Sequence, residues 1–522
     1  MGEYAFIIVA TVSFLLVLSC LWKVLCWLWW KPKKLEKYLR EQGIKGTPYK
    51  FPYGNLREEM KLMEEVQSKP ISLSHDIVPR VFPFVHQSIN NYGKMFVSWF
   101  GPIPRVYITD PVLIRDILSN KFGHTQKPNT NPYAKFLVNG VASREGEDWA
   151  KHRRIINPAF HIEKLKEMLP AFYTSCCQLV NKWETLVASK GLCELDVWQE
   201  LKNFTADVIS RAAFGSNYEE GMKIFQLQTE CAELITQASR SLYIPGFRFI
   251  PTQRNRRMKE IDREVQARLR RIINKRMMAR EMEEASKNDL LGILLESNAR
   301  EKKEGDNSKN AGLSMEEVMG ECKLFYFAGQ ETTAVLLTWT IILLSIHPDW
   351  QSRARKEVLQ VFGDNKPTFD GLNHLKIVTM VIYEVLRLYP PATMLNRFTY
   401  KEMKIGDITF PKGVWLILPA TIVHRDRELW GEDAEEFNPE RFSEGILKAS
   451  KNQVVSFFPF GWGPRICVGK NFSLIEAKMA MVKILKHFWF ELSPSYAHAP
   501  YTVVTLQPQY GAPIILHKNY ET

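Results

Sequence analysis

The chain of 522 residues lacks several of the short motifs that define large protein classes. Its eight cysteines contain no C-x-x-C pair, which argues against structural zinc, a disulfide scaffold and covalently attached c-type haem. No G-x-G-x-x-G segment follows a predicted strand, so the chain carries no dinucleotide-binding unit of its own. No internal repeat is evident. The low cysteine content is typical of a protein in a reducing compartment.

The composition is that of a large folded protein with an excess of basic residues. With 45% hydrophobic residues, the chain is long enough for one large domain or two smaller ones. Its formal net charge of +12 suits a nucleic acid, an anionic membrane or an acidic protein as partner. Neither zinc-finger spacing nor an RNA-binding aromatic motif is present, so we expect no nucleic acid partner.

The N-terminus carries a long apolar stretch. Residues Ala5–Trp22 are uncharged and apolar, Lys23 interrupts the pattern, and Val24–Trp30 resume it. Because a bilayer span needs about 20 residues, the stretch is either a transmembrane helix or the apolar part of a cleaved signal peptide.

The border of this stretch favours the transmembrane helix, since no small-residue cleavage site is clear. Tryptophans typically lie at membrane interfaces, and lysines that follow a span stay on the cytoplasmic side. We therefore predict a single-pass signal anchor over residues 1–30, a basic and Pro/Gly-containing connector over 31–55, and a cytosolic domain over 56–522. The border residues are Trp27, Trp29, Trp30, Lys31, Lys33 and Lys34.

A single cysteine, Cys467, lies between a glycine-rich turn and an amphipathic run. The turn contains Gly461, Gly463 and Pro464, which allow a tight loop to approach a flat partner closely. A helix that starts after Gly469 would offer free backbone N–H groups, which favour a thiolate over a thiol. These residues alone leave two interpretations open, a structural cysteine in a turn and a sulfur ligand.

The segment from Phe460 to Gly469 resembles the haem-ligand signature of the cytochrome P450 family, F-x-x-G-x-R-x-C-x-G, at every defined position. The resemblance implies haem b, iron protoporphyrin IX, with the Cys467 thiolate as axial ligand. Phe460, Arg465 and Gly469 would bind the cofactor, with Arg465 near a propionate. It also implies the cytochrome P450 fold, mainly α with small β-sheets (α+β), as a single large haem domain behind the N-terminal membrane anchor.

A long helix is predicted to begin at the capping box Ser314-Met-Glu-Glu317 and to end before His347-Pro348. Its apolar second half, about 13 residues, is too short to cross a bilayer, so we expect a buried central helix. Midway along it lies Ala328-Gly-Gln-Glu-Thr-Thr333, which places one acid and two hydroxyls among apolar residues.

This segment resembles the oxygen-activation motif of the cytochrome P450 family, small-Gly-x-acid-Thr. The resemblance implies that Ala328 and Gly329 let the helix bend and admit dioxygen beside the iron. It further implies that Glu331 and Thr332 are catalytic and relay protons.

Another pair of charged residues lies among apolar ones. Glu384 and Arg387 are three apart on one predicted helix face, where such pairs are often surface ion pairs worth little. They match the Glu-x-x-Arg element of the cytochrome P450 family, and Arg441 matches its third member. The resemblance implies a buried Glu384/Arg387/Arg441 network with a structural role.

Trp149 and Arg153 are four apart in a basic predicted helix, so they share one face. The residues alone are also compatible with an ordinary surface helix. By resemblance, both would hydrogen-bond a haem propionate, and Arg397 lies where the family carries another propionate-binding arginine. Half-buried propionates need such compensating charge.

Together these motifs resemble those of a membrane-anchored monooxygenase of the endoplasmic reticulum. Two electrons would come from NADPH through a separate NADPH–cytochrome P450 reductase, because the chain has no dinucleotide-binding unit of its own. The implied partners are that reductase, membrane lipid and a small-molecule substrate.

Two other functions of a haem-thiolate protein remain as alternatives. One is a sensor or electron carrier without turnover, and the other is an isomerase or dehydratase that needs no reductase. The pair Glu331 and Thr332 argues against both, since electron transfer needs no proton relay and the isomerase class typically lacks the pair.

Finer features resemble plant family 72, subfamily A, in four segments, at 39–43, 151–160, 321–327 and 457–469. Members of that subfamily oxidise plant isoprenoids, which implies a bulky apolar substrate. An oleanane-type triterpenoid of a saponin pathway is the substrate we expect, with a gibberellin or an iridoid as alternatives. The substrate pocket would include Phe325, Ala328, Thr393, Met394, Leu395 and Val504.

Overall fold

The computed structural model describes residues 2–119, 123, 125–128, 132–188, 191–216, 218–241, 246–282, 289–304, 312–451 and 455–519. Most of these residues are helical, and short strands form small sheets, which confirms the predicted fold class. The helices are α1 (Gly2–Leu25), α2 (Lys31–Glu41), α3 (Leu56–Gln67), α4 (Val78–Val81), α5 (Pro83–Tyr92), α6 (Pro111–Ser119), α7 (Gly146–Ile156), α8 (Ile162–Val187), α9 (Val197–Phe214), α10 (Tyr218–Ser239), α11 (Gln253–Glu281), α12 (Leu290–Glu304), α13 (Met315–Ile346), α14 (Pro348–Phe362), α15 (Phe369–His374), α16 (Ile377–Leu388), α17 (Ala420–Val423), α18 (Arg427–Trp430) and α19 (Lys470–His487).

The strands are β1 (Met95–Phe100), β2 (Ile103–Ile108), β3 (Thr125–Gln126), β4 (Leu192–Asp196), β5 (Leu395–Thr399), β6 (Met403–Ile405), β7 (Ile408–Phe410), β8 (Trp415–Leu418), β9 (Phe488–Leu492), β10 (Pro500–Thr502), β11 (Leu506–Pro508) and β12 (Pro513–Lys518). One sheet has the order β1-β2-β8-β5-β3, and a second has the order β4-β12-β9. The pairs β6-β7 and β10-β11 are antiparallel. The hairpin β10-β11 contacts the central helix α13, since the indole N–H of Trp339 donates to the carbonyl of Leu506.

The central helix α13 forms where its caps and its apolar content predict it. The hydroxyl of Ser314 accepts the N–H of Glu317, whose carboxylate accepts the N–H of Ser314, so the predicted capping box is present. The helix runs without interruption to Ile346, although the residues at 328 and 329 would permit a bend. It is apolar enough to span a membrane, yet 83% of its most apolar window is buried inside the protein.

Gly329 explains how α9 approaches α13 so closely. A Cβ atom at this position would lie 2.6 Å from Cγ1 of Ile209, a distance that side chains do not tolerate. The glycine therefore lets the two buried helices pack backbone to side chain. Close packing between α9 and α13 therefore requires a glycine at this position.

The loop before α19 depends on a second glycine. Gly463 has φ of 71°, and a Cβ there would lie 2.6 Å from the carbonyl oxygen of Leu118. Both conditions exclude a larger residue. The loop is thus pressed against the end of α6, which fixes the position of Cys467 four residues later.

The N-terminal helix extends beyond residue 30, the predicted end of the anchor. Helix α1 continues through a π-helical turn at Cys26–Trp30 into α2, so residues 4–41 form one long helix with an apolar first part whose side chains are exposed. The predicted connector over 31–55 is packed, because Leu39, Ile44 and Tyr49 lie in the hydrophobic core. Leu35 and Leu39 are four apart and face the sheet together, a local periodicity that the basic composition obscured.

Removing residues 1–30 is expected to release most of the protein from membranes while a haem absorption spectrum persists. The hydroxyl of Tyr49 donates to the carbonyl of Leu28 at 2.5 Å, and burial raises the pKa of Tyr49 to about 12. Loss of that contact costs only about 0.5–1.5 kcal/mol, so the fold should survive. Sedimentation of membranes expressing the full-length and shortened chains measures the release. Loss of the spectrum in the shortened protein would show that the segment is part of the fold.

Candidate active site

Cys467 lies in the loop that precedes α19. Its N–H donates to the carbonyl of Phe460 at 2.8 Å, which closes the loop around the thiol. The side chain keeps solvent-accessible surface, although it lies deep enough for burial to raise the pKa of its thiol. The N–H of Gly469 and the nearby cations of Arg153 and Lys127 lower that pKa in part. A thiol with an accessible face and cationic surroundings suits a ligand better than a packing role. All eight cysteines, each within a described range, are free thiols.

Three predicted cofactor-binding residues meet beside Cys467. Arg153 donates through Nη1 to the carbonyl of Ile466 at 2.7 Å. The Arg465 guanidinium lies 4.7 Å from the ring centre of Trp149, which is a cation–π contact. Helix α7 therefore holds Trp149 and Arg153 against the cysteine loop.

Arg465 has a carboxylate partner that the sequence analysis did not identify. Its Nη2 donates to the carboxylate of Glu145, and to the carbonyl of Arg144 at 2.9 Å. Glu145 also accepts the backbone N–H of Lys127 at 2.8 Å. Nη1 of Arg465 is buried and finds no hydrogen-bond partner among the described residues.

The surroundings of Arg465 hold more positive charge than the carboxylate of Glu145 can balance. Burial and the neighbouring Arg465 lower the pKa of Arg397 to about 10. Burial, Arg397 and Arg465 lower the pKa of Lys127 to about 8, while Glu145 acts in the opposite direction. Cations with depressed pKa values beside an unpaired guanidinium N–H indicate that an anion belongs here.

This donor set fits the haem that the resemblance implies. Cys467 offers one accessible sulfur, and the cations of Lys127, Arg153, Arg397 and Arg465 could compensate two propionates. The excess charge and the unpaired Nη1 of Arg465 are the observations on which this fit depends. The individual roles of these residues stay predictions.

On α13, the two predicted relay residues have different surroundings. Thr332 is half-buried, and its hydroxyl donates to the carbonyl of Ala328 at 2.9 Å. Glu331 is only 3% exposed, and its carboxylate contacts Lys202, Thr505 and Gln507. The acid and the hydroxyl are sequence neighbours on one helix, but the acid is held by residues from two distant segments.

Arg387 and Glu384 form a fully buried ion pair. The Nε and Nη2 groups of Arg387 each donate to the Glu384 carboxylate at 2.7 Å, a bidentate arrangement. The remaining N–H groups donate to the carbonyls of His424, Ala434 and Glu436, at 2.8, 2.5 and 3.0 Å. All five donors of the guanidinium are therefore used, which makes the pair a fixed point of the interior.

Arg441 joins this pair from the following segment. Its Nε lies 3.5 Å from Oε1 of Glu384, and its Nη2 lies 2.6 Å from the Asp433 carboxylate. Its Nη1 donates to the carbonyl of Trp430 at 2.9 Å. The structure thus brings the three residues of the predicted network together.

His424 links the network to the cysteine loop. Burial and the charges of Arg387 and Arg425 lower the pKa of His424 to about 3, so its ring is neutral. Nε2 accepts the backbone N–H of Phe458 at 3.1 Å, which puts the ring proton on Nδ1. The ring of His424 therefore holds the cysteine loop at Phe458, and its carbonyl accepts a hydrogen bond from Arg387.

A second histidine connects α7 to α13. His152 is fully buried, with Nδ1 2.5 Å from a carboxylate oxygen of Glu321 and Nε2 3.2 Å from Glu317. Glu321 also accepts the N–H of Val141 at 2.7 Å. Because His152 is on the same helix as Trp149 and Arg153, these contacts fix the helix that packs against the cysteine loop.

The predicted pocket residues occupy different positions. Met394 lines a cavity of about 360 Å³ between α3, the five-stranded sheet and the end of α10. Phe325 is buried and stacks on Phe160, with ring centres 5.4 Å apart. Thr393 is buried, whereas Val504 is 41% exposed at the turn between β10 and β11. Ala328 and Leu395 are half-buried.

Sequence reasoning did not pair residues whose contacts join distant segments of the chain. Lys127 and Glu145 lie outside any motif, and Lys202 is one of many lysines. Thr505 and Gln507 lie about 175 positions after their partner, Glu331.

Comparisons with known proteins agree on one family. The family model described as Cytochrome P450 matches residues 79–510. The chain is 59% identical to Cytochrome P450 CYP72A219 of Panax ginseng, over 95% of either chain. It is 58% identical to Cytochrome P450 72A397 of Kalopanax septemlobus, again over 95% of both. It is 53% identical to Cytochrome P450 72A68 of Medicago truncatula, over 98% of both.

A solved structure supports the fold independently. Retinoic acid bound cyanobacterial CYP120A1 superimposes with a TM-score of 0.74, covering 91% of this chain and 99% of that one. At 23% identity, the likeness concerns the fold alone.

Proposed function

We propose, from the premise that this chain belongs to the cytochrome P450 family and to its plant group 72A, that this monooxygenase oxidises an oleanane-type triterpenoid. The overall reaction is RH + O2 + NADPH + H+ → ROH + H2O + NADP+. A gibberellin or an iridoid is the alternative substrate for the same chemistry. The observation that supports a bulky apolar substrate is the cavity beside Met394.

The wall of this cavity is partly apolar and partly charged. Its apolar side consists of Met60, Met63, Met394 and aromatic residues of the five-stranded sheet, while Glu59 and Arg105 lie among its charged residues. Methionine side chains are unbranched and polarisable, so they fit irregular hydrocarbon surfaces. The volume of about 360 Å³ lies within the ordinary range for small-molecule sites. The choice of a triterpenoid within the isoprenoids follows the resemblance to the subfamily.

The residues of the chain divide the chemical work among themselves. When bound, the haem supplies oxygen activation at an iron whose reactivity a thiolate ligand increases. Cys467 would hold that iron, and Arg153, Arg397 and Arg465 would hold the propionates. Glu331 and Thr332, on the buried helix α13, would hold and move protons.

The electron source is inferred from the missing dinucleotide-binding motif, and the cellular location from the apolar N-terminal helix. We propose that NADPH–cytochrome P450 reductase supplies both electrons and docks on the basic side near Cys467. The apolar helix over 4–41 supports a single-pass anchor. We assign it to the endoplasmic reticulum membrane, with the catalytic domain in the cytosol.

Turnover in microsomes tests this proposal directly. The full chain, expressed with a plant reductase, is offered separate oleanane triterpenoids, gibberellins and iridoids, and products are followed by mass. We expect a gain of one oxygen atom on a triterpenoid, dependent on NADPH. Microsomes with the reductase alone are the control. Oxidation of only a gibberellin or an iridoid would replace the substrate assignment by the alternative.

Replacing Thr332 by alanine is expected to leave haem bound but to divert electrons from product to hydrogen peroxide. A positioned proton donor typically contributes about 10²–10⁴-fold, so the share of NADPH that yields product should fall by at least about tenfold. The matched control is Thr338→Ala, since Thr338 makes the same hydrogen bond to the residue four before it, at 2.7 Å, but is fully buried. Undiminished product formation in Thr332→Ala would refute the relay role.

A further inference from the structure

The carboxylate of Glu331 is held by a hairpin from the end of the chain. Oε1 accepts the Thr505 hydroxyl at 2.9 Å and the side-chain amide of Gln507. Oε2 lies 3.7 Å from Nζ of Lys202 on α9. Both oxygens are therefore engaged, by groups on two elements that are remote from α13 in the sequence. Tyr501, opposite Gln507 in β10, also faces this carboxylate and has its pKa raised by burial and by Glu233 and Glu331.

The hairpin is itself tied to the walls of the substrate region. The indole N–H of Trp339 donates to the carbonyl of Leu506 at 2.8 Å, and the N–H of Leu506 donates to Pro391 at 3.1 Å. The hydroxyl of Thr236 donates to the carbonyl of Val503 at 3.1 Å. Only the tip at Val504 is exposed. A molecule that pushes on this tip would press on the segment that carries Thr505 and Gln507.

We propose that Thr505 and Gln507 are positioning residues for Glu331, and that the hairpin β10-β11 couples contact at its tip to the orientation of that carboxylate. The inference rests on the proposed function, because it assigns Glu331 a part in proton transfer. Oε1 cannot turn towards Thr332 without breaking two hydrogen bonds at once. The orientation of the acid thus depends on the hairpin and not only on α13.

A simple packing role makes a different prediction. Any buried carboxylate needs donors, and removing one donor leaves the fold less stable. A packing role would therefore lower stability in every variant, without a change in how electrons are divided between product and peroxide. The proposed role changes that division while substrate affinity remains.

The first measurement does not depend on turnover. Glu331→Leu removes the acceptor of both hydrogen bonds, so amide hydrogen exchange of the holoenzyme should become faster in residues 500–510. Peptides from β6-β7 are the internal reference, since they are separate from this hairpin. Unchanged exchange in residues 500–510 would overturn the proposal, because the hairpin would then not depend on Glu331.

The second measurement compares variants at the two donors. Gln507→Leu and Thr505→Val should each lower the product formed per NADPH by about tenfold, part of what a general acid contributes. Thr505→Ser keeps the hydroxyl and should restore most of the yield. The substrate dissociation constant, from the spectral shift on binding, should stay within about twofold. The control is Tyr510→Phe, just beyond β11, whose hydroxyl contacts Gln67 instead.

The results separate this inference from the proposed function. Turnover of none of the three isoprenoid classes by the unsubstituted enzyme would count against the proposed function, and hydrogen exchange would still decide the hairpin contact. Normal product yield in both Gln507→Leu and Thr505→Val would overturn the inference alone. A parallel loss of substrate affinity would also overturn it, since the two residues would then be pocket walls.

Discussion

Replacing Cys467 by serine is expected to abolish the thiolate-type absorption band of the reduced carbon monoxide complex. Serine has no sulfur, and its hydroxyl is not ionised at neutral pH. It therefore cannot replace the thiolate ligand that gives this band. The loop itself should persist, because the backbone of residue 467 makes its hydrogen bond to Phe460 whatever the side chain. We therefore expect a folded protein with little haem or with an altered spectrum, and with no measurable turnover.

The control for this prediction is Cys193→Ser, in strand β4. Cys193 is half-buried and donates to a neighbouring carbonyl, that of Glu194, at 3.3 Å, far from the cysteine loop. It should retain the normal band. An unaltered band in Cys467→Ser would remove the ligand assignment, since another residue would then have to hold the iron.

The second large effect is expected for Arg387→Lys, which should prevent accumulation of folded holoenzyme. Lysine offers three donors from one point, whereas Arg387 uses five donors aimed at Glu384 and three carbonyls. Breaking a buried ion pair typically costs about 3–5 kcal/mol. That is a large part of the stability of an ordinary folded protein, about 5–15 kcal/mol.

Expression level, haem content and resistance to protease measure the loss. The matched control is Arg353→Lys, because Arg353 pairs with Glu440 at the surface, where both side chains are about half exposed. An exposed pair contributes about 0–1 kcal/mol, so this variant should resemble the parent. Equal holoenzyme yields from the two variants would mean that the buried network is dispensable.

Local signals predicted the long elements of this fold well. The capping box at Ser314 and the His347-Pro348 stop set both ends of α13, because caps act within one helical turn. The glycines of the cysteine loop predicted a tight turn for a similar reason. At Gly463 the conformation and the neighbouring carbonyl of Leu118 both exclude a side chain.

The rest of the site depends on contacts between distant segments, which periodicity does not encode. Glu331 was predicted from its own motif, but its partners Thr505 and Gln507 carry no motif at all. His424 was assigned no role, and only packing shows that it supports Phe458. The segment over 31–55 was predicted as a connector because its charges were more evident than Leu35 and Leu39.

The unbroken helix from α1 into α2 fixes how the folded domain is oriented relative to the apolar N-terminal part of the helix. An α-helix advances about 1.5 Å and turns about 100° for each residue. One residue added between Trp30 and Lys31 would thus turn the domain by over a quarter turn relative to the apolar part of the helix. Leu39 lies near the end of the helix and Tyr49 in the segment after it. Both pack in the hydrophobic core, which fixes the helix to the domain. The number of residues between the apolar part of the helix and Leu39 therefore fixes both the distance and the rotation of the domain relative to that apolar part.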